Sequence, residues 1–309
     1  MKLSFVIPCY NEEGNIKLFY DDVVKNFKKT KYKVELVFIN DGSKDNTLNE
    51  LKKLTNFKDF SIKIINFSRN FGKEAGIYAG LKNSTGDYTV LIDADMQQPP
   101  SLVLDMLNVI EENSDVDIVA YYQEHRIENR MLSFLKSSFY KTINKLTKIN
   151  FINGASDFRL LKRNVVDTIL EFTEHERFSK GIFAWIGFNT YYIPYTPCER
   201  ATGKTSWGII SLFKYAINGI LSFIQKPFKW ITDLGIITLV ISILITVLNV
   251  TKLIEINMLS SLILFMFGIN FIVLGYIGMF INKNYSESRN RPIYIAKEVI
   301  TNEKNSKSI

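Results

Sequence analysis

Two carboxylates stand close together at Asp93-Ala94-Asp95. At i and i+2 on an extended chain they point to the same side. Where a strand bends into a loop, both can reach one cation. Oxygen ligands of this hardness suit Mg2+ or Mn2+, above all when a diphosphate supplies further oxygens. Gln97 offers a side-chain carbonyl just beyond. So short a pattern also fits an ordinary surface loop, and only its place in the fold separates the two.

Other segments carry groups of the same kind. Asp41 lies in Asn40-Asp41-Gly42-Ser43-Lys44-Asp45. A carboxylate on a tight glycine turn can accept the ring N–H of a pyrimidine, but the segment equally fits a plain turn in which Ser43 or Asp45 caps the next helix. Gly72-Lys73-Glu74-Ala75-Gly76 opens a small-residue helix, which suits either phosphate or close helix–sheet packing. Arg126 and Arg130 are one helical turn apart, ahead of Ser133 and Lys136. They form a guanidinium clamp for phosphate or a solvated basic face; His125 beside them is a bystander. Asp157, set among Ser156 and Phe158, is either a working carboxylate or a buried structural one. Arg200 and Lys204 precede Trp207 in a stretch suited to a membrane surface. Gly203-Lys204-Thr205 mimics the end of a phosphate-binding loop, but Cys198 stands where the upstream glycine is required.

The elements that must position these groups follow from the hydrophobic pattern. Short apolar runs at residues 3–8, 34–40, 62–67, 88–93 and 117–121 alternate with helical spacing at 11–29, 45–55, 72–83 and 99–113. This alternation predicts a mostly parallel sheet covered on both faces, with ligands bound beyond the carboxyl ends of its strands. The polar segments fall there: residues 8–13, 40–43, 68–70 and 93–97 each follow a strand. Beyond residue 210 the pattern changes. An apolar, partly amphipathic stretch ends at Lys226-Pro227-Phe228-Lys229-Trp230, and residues 234–251 and 256–282 then carry no charge. About 20 apolar residues span the hydrocarbon core. These two segments predict a transmembrane helical hairpin, with Lys226, Lys229, Lys283, Arg289 and Arg291 holding both ends in the cytoplasm. The residues after 293 are expected to form a polar, mobile tail.

Bulk composition narrows the classes further. The 309 residues are 47% hydrophobic and carry a net charge of +7. The positive charge is scattered without a dense basic run, which argues against nucleic acid as a partner. The only cysteines are Cys9 and Cys198, so neither a zinc site nor a disulfide framework is expected.

Taken in order, Pro8-Cys9-Tyr10-Asn11-Glu12, Asn40-Asp41-Gly42-Ser43, residues 68–74 and residues 93–100 resemble the inverting family 2 glycosyltransferases. Within them the chain is similar to the polyisoprenyl-phosphate type, the bactoprenol glucosyltransferases and dolichyl-phosphate mannose synthases. Asp157-Phe158-Arg159-Leu160, Arg177-Phe178 and the run to Phe188, together with the paired apolar segments, fit the bactoprenol type. The likeness extends to about residue 282. It implies a GT-A fold, Rossmann-like with a mostly parallel sheet, over residues 1–210. Amphipathic helices at 211–232, two transmembrane helices at 233–282 and a cytoplasmic tail at 283–309 would follow. It implies that Pro8, Tyr10, Glu12, Asp41, Lys73 and Asp93 bind the nucleotide of the donor, and that Asp93, Asp95 and Gln97 hold Mg2+ or Mn2+. Arg126, Arg130, Ser133, Arg200 and Lys204 would bind the phosphates and the acceptor, and Asp157 and Asp95 would serve catalysis. Two departures touch the acceptor contacts: Leu132 stands where an acidic residue is usual, and Ser206 where a lysine is usual.

The expected activity is inverting transfer of a hexose, glucose first, from a UDP-sugar to a polyprenyl phosphate at the cytoplasmic face of a bacterial plasma membrane. The expected partners are donor, acceptor and membrane lipid, with a homo-oligomer and a flippase as further candidates. A phosphate monoester is already mostly ionised near neutral pH. Asp157 is therefore expected to orient groups or take up a residual proton, rather than to create the nucleophile. The rival expectations are a glycan or diacylglycerol acceptor, and a non-catalytic membrane scaffold of the same fold.

Overall fold

The computed structural model describes residues 1–123, 155–174, 177–195 and 291–302, together with single positions between 263 and 288. The chain divides into two compact units, residues 1–220 with 292–309, and residues 221–291.

The first unit is built on an eight-stranded sheet in the order β7-β5-β6-β4-β1-β2-β3-β8. Its strands are β1 (Lys2–Cys9), β2 (Lys33–Asn40), β3 (Ser61–Phe67), β4 (Tyr88–Leu91), β5 (Ile118–Gln123), β6 (Ala155–Lys162), β7 (Thr190–Tyr195) and β8 (Ala296–Thr301). The central run β4-β1-β2-β3 is parallel, and so is β5 with β7. β6 runs antiparallel to both β4 and β5, and β8 antiparallel to β3. The expected mostly parallel sheet is thus present, with antiparallel strands inserted at β6 and added at the β3 edge.

Helices α1 (Ile16–Phe27), α2 (Thr47–Leu54), α3 (Lys73–Asn83), α4 (Val103–Glu112), α5 (Arg163–Glu171) and α6 (Ser179–Trp185) complete the described unit. Residues 3–7 of β1 are wholly buried, because both faces of this central strand are covered. Leu3, Phe5 and Ile7 share a core cluster with α1 residues Ile16, Phe19 and Val23, joined by Leu51 of α2 and Met106 of α4. Phe5 meets Phe27 edge-on at 5.2 Å. The alternate residue Val6 faces α3, where Gly80 gives it room: a Cβ at Gly80 would lie 2.1 Å from Val6 Cγ1 and 2.8 Å from Ile39 Cδ1. Backbone-close packing of this kind draws α3 tightly onto β1 and β2. The helix therefore delivers its first residue, Lys73, to the carboxyl edge of the sheet.

Two expectations need revision. The helix expected from residue 11 starts at Ile16, because residues 11–13 are used in contacts to the next loop. Asn11 adopts φ 57, its Oδ1 accepts the Lys44 N–H, and Glu12 N–H donates to Thr47 Oγ1. The tail expected after residue 293 instead supplies β8. Asn302 closes it, accepting the Ile62 N–H at 2.8 Å and donating to the carbonyls of Phe57 and Phe60.

The predicted amphipathic helices at 211–232 lie outside the described residues, as does most of the hairpin at 233–282. Every described position from Ile263 to Ser288 is helical. Among the described residues, no helix is long and apolar enough to cross a membrane.

Candidate active site

Asp93 follows β4 and Asp157 belongs to β6, which pairs with β4. Lys73 reaches both from α3: its Nζ is 2.7 Å from Asp93 Oδ2 and 3.1 Å from Asp157 Oδ2. Lys180, at the start of α6, stands 3.9 Å from Asp157 Oδ1. Lys73, Asp93 and Asp157 border a small open cleft whose lining also includes Pro8, Ile77 and Phe158. The cleft lies where the parallel strands deliver their carboxyl ends, the site expected for a ligand in such a sheet.

The charges interlock. Burial acts to raise the Asp157 pKa, but Lys180 and Lys73, with Arg159 behind them, outweigh it and hold the carboxyl well below the usual range. Burial acts to lower the Lys73 pKa, but Asp93 and Asp157 drive it above the ordinary lysine value. Lys73 is thus a fixed cation and Asp157 a fixed anion. Arg159 is buried with its guanidinium 4.3 Å from the Phe183 ring, and its Nε–H donates to the Ser156 carbonyl. Next to Lys73, Glu74 accepts hydrogen bonds from the N–H and Oγ of Ser179, which fastens α6 to α3. One dipeptide therefore aligns both lysines on Asp157.

Asp41 closes β2 and is 4% exposed. Its Oδ1 accepts the Phe71 N–H at 2.7 Å and its Oδ2 the Gly72 N–H at 2.9 Å. Burial pushes its carboxyl up, against the pull of these two N–H groups and of Arg69. Asp45, one residue before the α2 cap residue Asn46, accepts the Thr47 N–H on its Oδ1. Gly42 has φ 63, and a Cβ there would come within 2.5 Å of the backbone of Arg69 and Asn70. The turn after β2 and the loop after β3 are pressed together, and only glycine fits between them.

Asp95 is 6% exposed, and its Oδ1 accepts the Gln97 N–H across a turn in which Met96 has φ 61. Asp93 and Asp95 are hard oxygen donors in a place that already attracts a cation, the Lys73 ammonium. Among the described residues, no group of three His, Cys, Asp or Glu side chains is placed to hold a metal ion. The donor set fits an ion that takes its remaining ligands from a bound diphosphate.

Of the residues singled out in the sequence, Pro8, Lys73, Asp93 and Asp157 meet in the cleft. Glu12 is not among the residues lining it, and accepts from Asn15 Nδ2 at 2.6 Å. Tyr10 lies half-buried just after β1. Cys9 beside it is a buried thiol whose pKa is raised, first by burial and then by Glu12, Asp93 and Asp45. Arg126, Arg130, Ser133, Arg200 and Lys204 lie outside the described residues. Lys180 was missed as a site residue, although the Arg177-Phe178-Ser179-Lys180 segment carries a visible cation. Gln98, which donates to Ser156 Oγ and Tyr195 Oη, was read only as part of a motif.

A sheet of this order, with carboxylates and lysines gathered at its carboxyl edge, narrows the comparison with known proteins. The family profile described as Glycosyl transferase family 2 matches residues 4–170. The chain belongs to glycosyl transferase family 2. It is a glycosyltransferase with a GT-A-like α/β fold. It is 38% identical over 304 residues to CsbB of Bacillus subtilis (strain 168), a protein named as a glycosyltransferase, covering 96% of this chain and 91% of that one. It is 34% identical to the bactoprenol glucosyl transferase of Shigella phage SfX, over 96% of this chain and 99% of that one. Among solved structures, mannosyl-3-phosphoglycerate synthase from Rubrobacter xylanophilus aligns with a TM-score of 0.52 at 12% identity, over 74% of each chain. That likeness concerns the fold alone.

Proposed function

We propose that this glycosyltransferase moves a glucosyl group from a UDP-sugar to a polyprenyl phosphate, inverting the anomeric carbon, at the cytoplasmic face of a bacterial plasma membrane. One observation carries the chemistry: at the carboxyl edge of the sheet Asp93, just after β4, and Asp157, on β6, both meet Lys73, and Asp157 also lies near Lys180. Support for the sugar and the acceptor comes from the near full-length likeness to a relative named for bactoprenol glucosyl transfer. A lipid-bound setting is favoured by Ile263, Met266, Ile277 and Ile281, which lie at helical positions of the second unit and are 38–63% exposed. In this scheme residues 211–232 form juxtamembrane helices, 233–282 the membrane hairpin, and 292–302 return to the catalytic unit.

Asp41, with Pro8 and Tyr10 near it, receives the uracil. Asp93 and Asp95, with Gln97, would hold Mg2+ or Mn2+, which when bound neutralises charge on the leaving diphosphate. Lys73 holds Asp93 and Asp157 in place before the donor arrives, so their mutual repulsion is already offset. The acceptor phosphate is anionic and needs no strong base. Lys180, 3.9 Å from Asp157 Oδ1, draws the phosphate in, with Arg126, Arg130, Ser133, Arg200 and Lys204 as further contacts. Asp157, held ionised by its lysines, is a weak base and serves to orient them.

The test is product analysis. Full-length protein in detergent receives radiolabelled UDP-glucose with polyprenyl phosphate, diacylglycerol or a soluble glycan. The expected product is organic-soluble β-linked glucosyl phosphate on the polyprenyl carrier. Label passing to diacylglycerol or to the glycan, and none to the polyprenyl phosphate, would sink this assignment.

A further inference from the structure

Strand β8 is tied to the loop around Asp41 by two separate lines of contact. The first is aromatic. The Tyr294 ring, just ahead of β8, stacks on Phe67 at 4.9 Å with an interplanar angle of 22°. Phe67 meets Phe71 edge-on at 5.7 Å, and the Phe71 N–H is one of the two that Asp41 accepts. Tyr294 also lies 6.5 Å from Tyr78 on α3. One ring therefore touches the strand before the 68–72 loop and the helix after it.

The second line is polar. Glu298 on β8 accepts from Asn66 Nδ2 at 3.0 Å, and Asn66 Oδ1 accepts from Asn40 Nδ2 at 2.8 Å. Asn40 directly precedes Asp41, and its Oδ1 accepts the Ser43 N–H at 3.4 Å. Backbone pairing adds a closing bond, from Ser68 N–H to the Ile295 carbonyl at 3.0 Å. A buried carboxylate such as Asp41 is tolerated only while its donors stay in place. Those donors belong to a loop that packs on Gly42 without slack, so movement of the loop passes directly to Asp41.

We propose that Tyr294 and Glu298 act as positioning residues for the donor site, holding the 68–72 loop so that Asp41 is presented to the nucleotide base. This rests on the role of Asp41 proposed above. It adds a dependence of donor binding on residues more than 200 positions away in sequence, as the separation of 232 between Asn66 and Glu298 measures. Neither Tyr294 nor Glu298 touches the reacting atoms.

The experiment uses the full-length protein in detergent, as wild type, Tyr294→Ala, Tyr294→Phe and Val299→Ala. Val299 is a β8 residue paired with Ile65, away from the loop. Two quantities are measured: hydrogen exchange of the amides in residues 68–73, and affinity for UDP with Mn2+ by calorimetry. Tyr294→Ala is expected to speed exchange at Phe71 and Gly72 and to weaken UDP binding, each by several-fold to about thirtyfold, the span of coupling through packed side chains. Tyr294→Phe keeps the ring and restores both, while Val299→Ala leaves both near wild type. Unchanged exchange at Phe71 and Gly72 in Tyr294→Ala overturns the proposal, as does an equal loss of UDP affinity in Val299→Ala. If the wild type binds no UDP while the amides still respond to Tyr294→Ala, the positioning role stands and the nucleotide role of Asp41 falls.

Discussion

Gly80→Ala tests how the fold places Lys73. The added methyl would sit 2.1 Å from Val6 Cγ1 and 2.8 Å from Ile39 Cδ1, both on strands at the centre of the sheet. Ordinary contact begins near 3.4 Å, so α3 must retreat by more than an ångström or Val6 must leave its place. Overpacking of a dense core costs about 1–3 kcal/mol. For a domain of this size that lowers Tm by roughly 2–12 °C, at 2–4 °C per kcal/mol. The catalytic effect should be larger. Lys73 is the first residue of α3, and its contacts of 2.7 and 3.1 Å to Asp93 and Asp157 do not survive a shift of that size. A misplacement of about 1 Å in a catalytic constellation costs on the order of a hundredfold in rate. The assay pairs thermal melting with turnover on UDP-glucose and polyprenyl phosphate. Val6→Ala removes the colliding methyls, and alone it should cost about 2 kcal/mol. Combined with Gly80→Ala it should recover activity that Gly80→Ala lacks, giving a coupling of about 1–2 kcal/mol. A Gly80→Ala protein with wild-type turnover, or a double variant no better than the sum of the singles, refutes the chain of reasoning from Gly80 through Val6 to Lys73.

Asp41→Asn turns one acceptor into a donor that faces the Phe71 or Gly72 N–H; the expected loss is about 2–3 kcal/mol of stability, together with weaker UDP binding, read by melting and calorimetry. Asp157→Asn should lower turnover at every pH, because the residue orients Lys73 and Lys180; recovery confined to alkaline pH would show that it acts as a base. Glu35 accepts from Ser4, Thr85 and Lys2. Burial alone would raise its pKa, but these contacts hold it below the ordinary 4.5. Its contribution is therefore complete above that value and fades as pH falls through the lowered pKa, so the stability gap between wild type and Glu35→Gln in urea should narrow in acid.

The parallel core was legible because its strands are continuous apolar runs and its chemistry sits at their ends. Residues 34–40 announce β2 through Val34, Leu36, Val37, Phe38 and Ile39, and residues 40–43 announce the turn that follows. β6 and β7 were not legible as strands at all: Ser156, Asp157, Arg159 and Lys162 break up the apolar residues of β6, and Pro194 interrupts β7. The lysine bridge was hidden for another reason. Lys73 and Asp157 lie 84 residues apart, and nothing local to either says that they meet. Asp41 was singled out for its place on a glycine turn, yet its engagement with Phe71 and Gly72 depends on how closely Gly42 lets two loops approach. β8 did leave a trace. Ile295, Val299, Ile300 and Thr301 are strand-forming residues, but Lys297 and Glu298 between them gave the stretch the look of a solvated tail. Those charges suit an edge strand, where one side of the ladder stays open to water.

The place of β8 in the sheet also sets an order of events during synthesis. Ile62 on β3 bonds to Asn302, 240 residues further along the chain. At a ribosomal rate of about 5–20 residues per second, β3 waits roughly ten to fifty seconds for its partner. Throughout that interval the β3 edge is an open template for other strands, while the segments between are being made and placed. A chain that stalls before residue 296 keeps this edge permanently exposed. The quality-control proteases of the cell would therefore meet a marked substrate, and the finished enzyme would be the form in which that mark is covered.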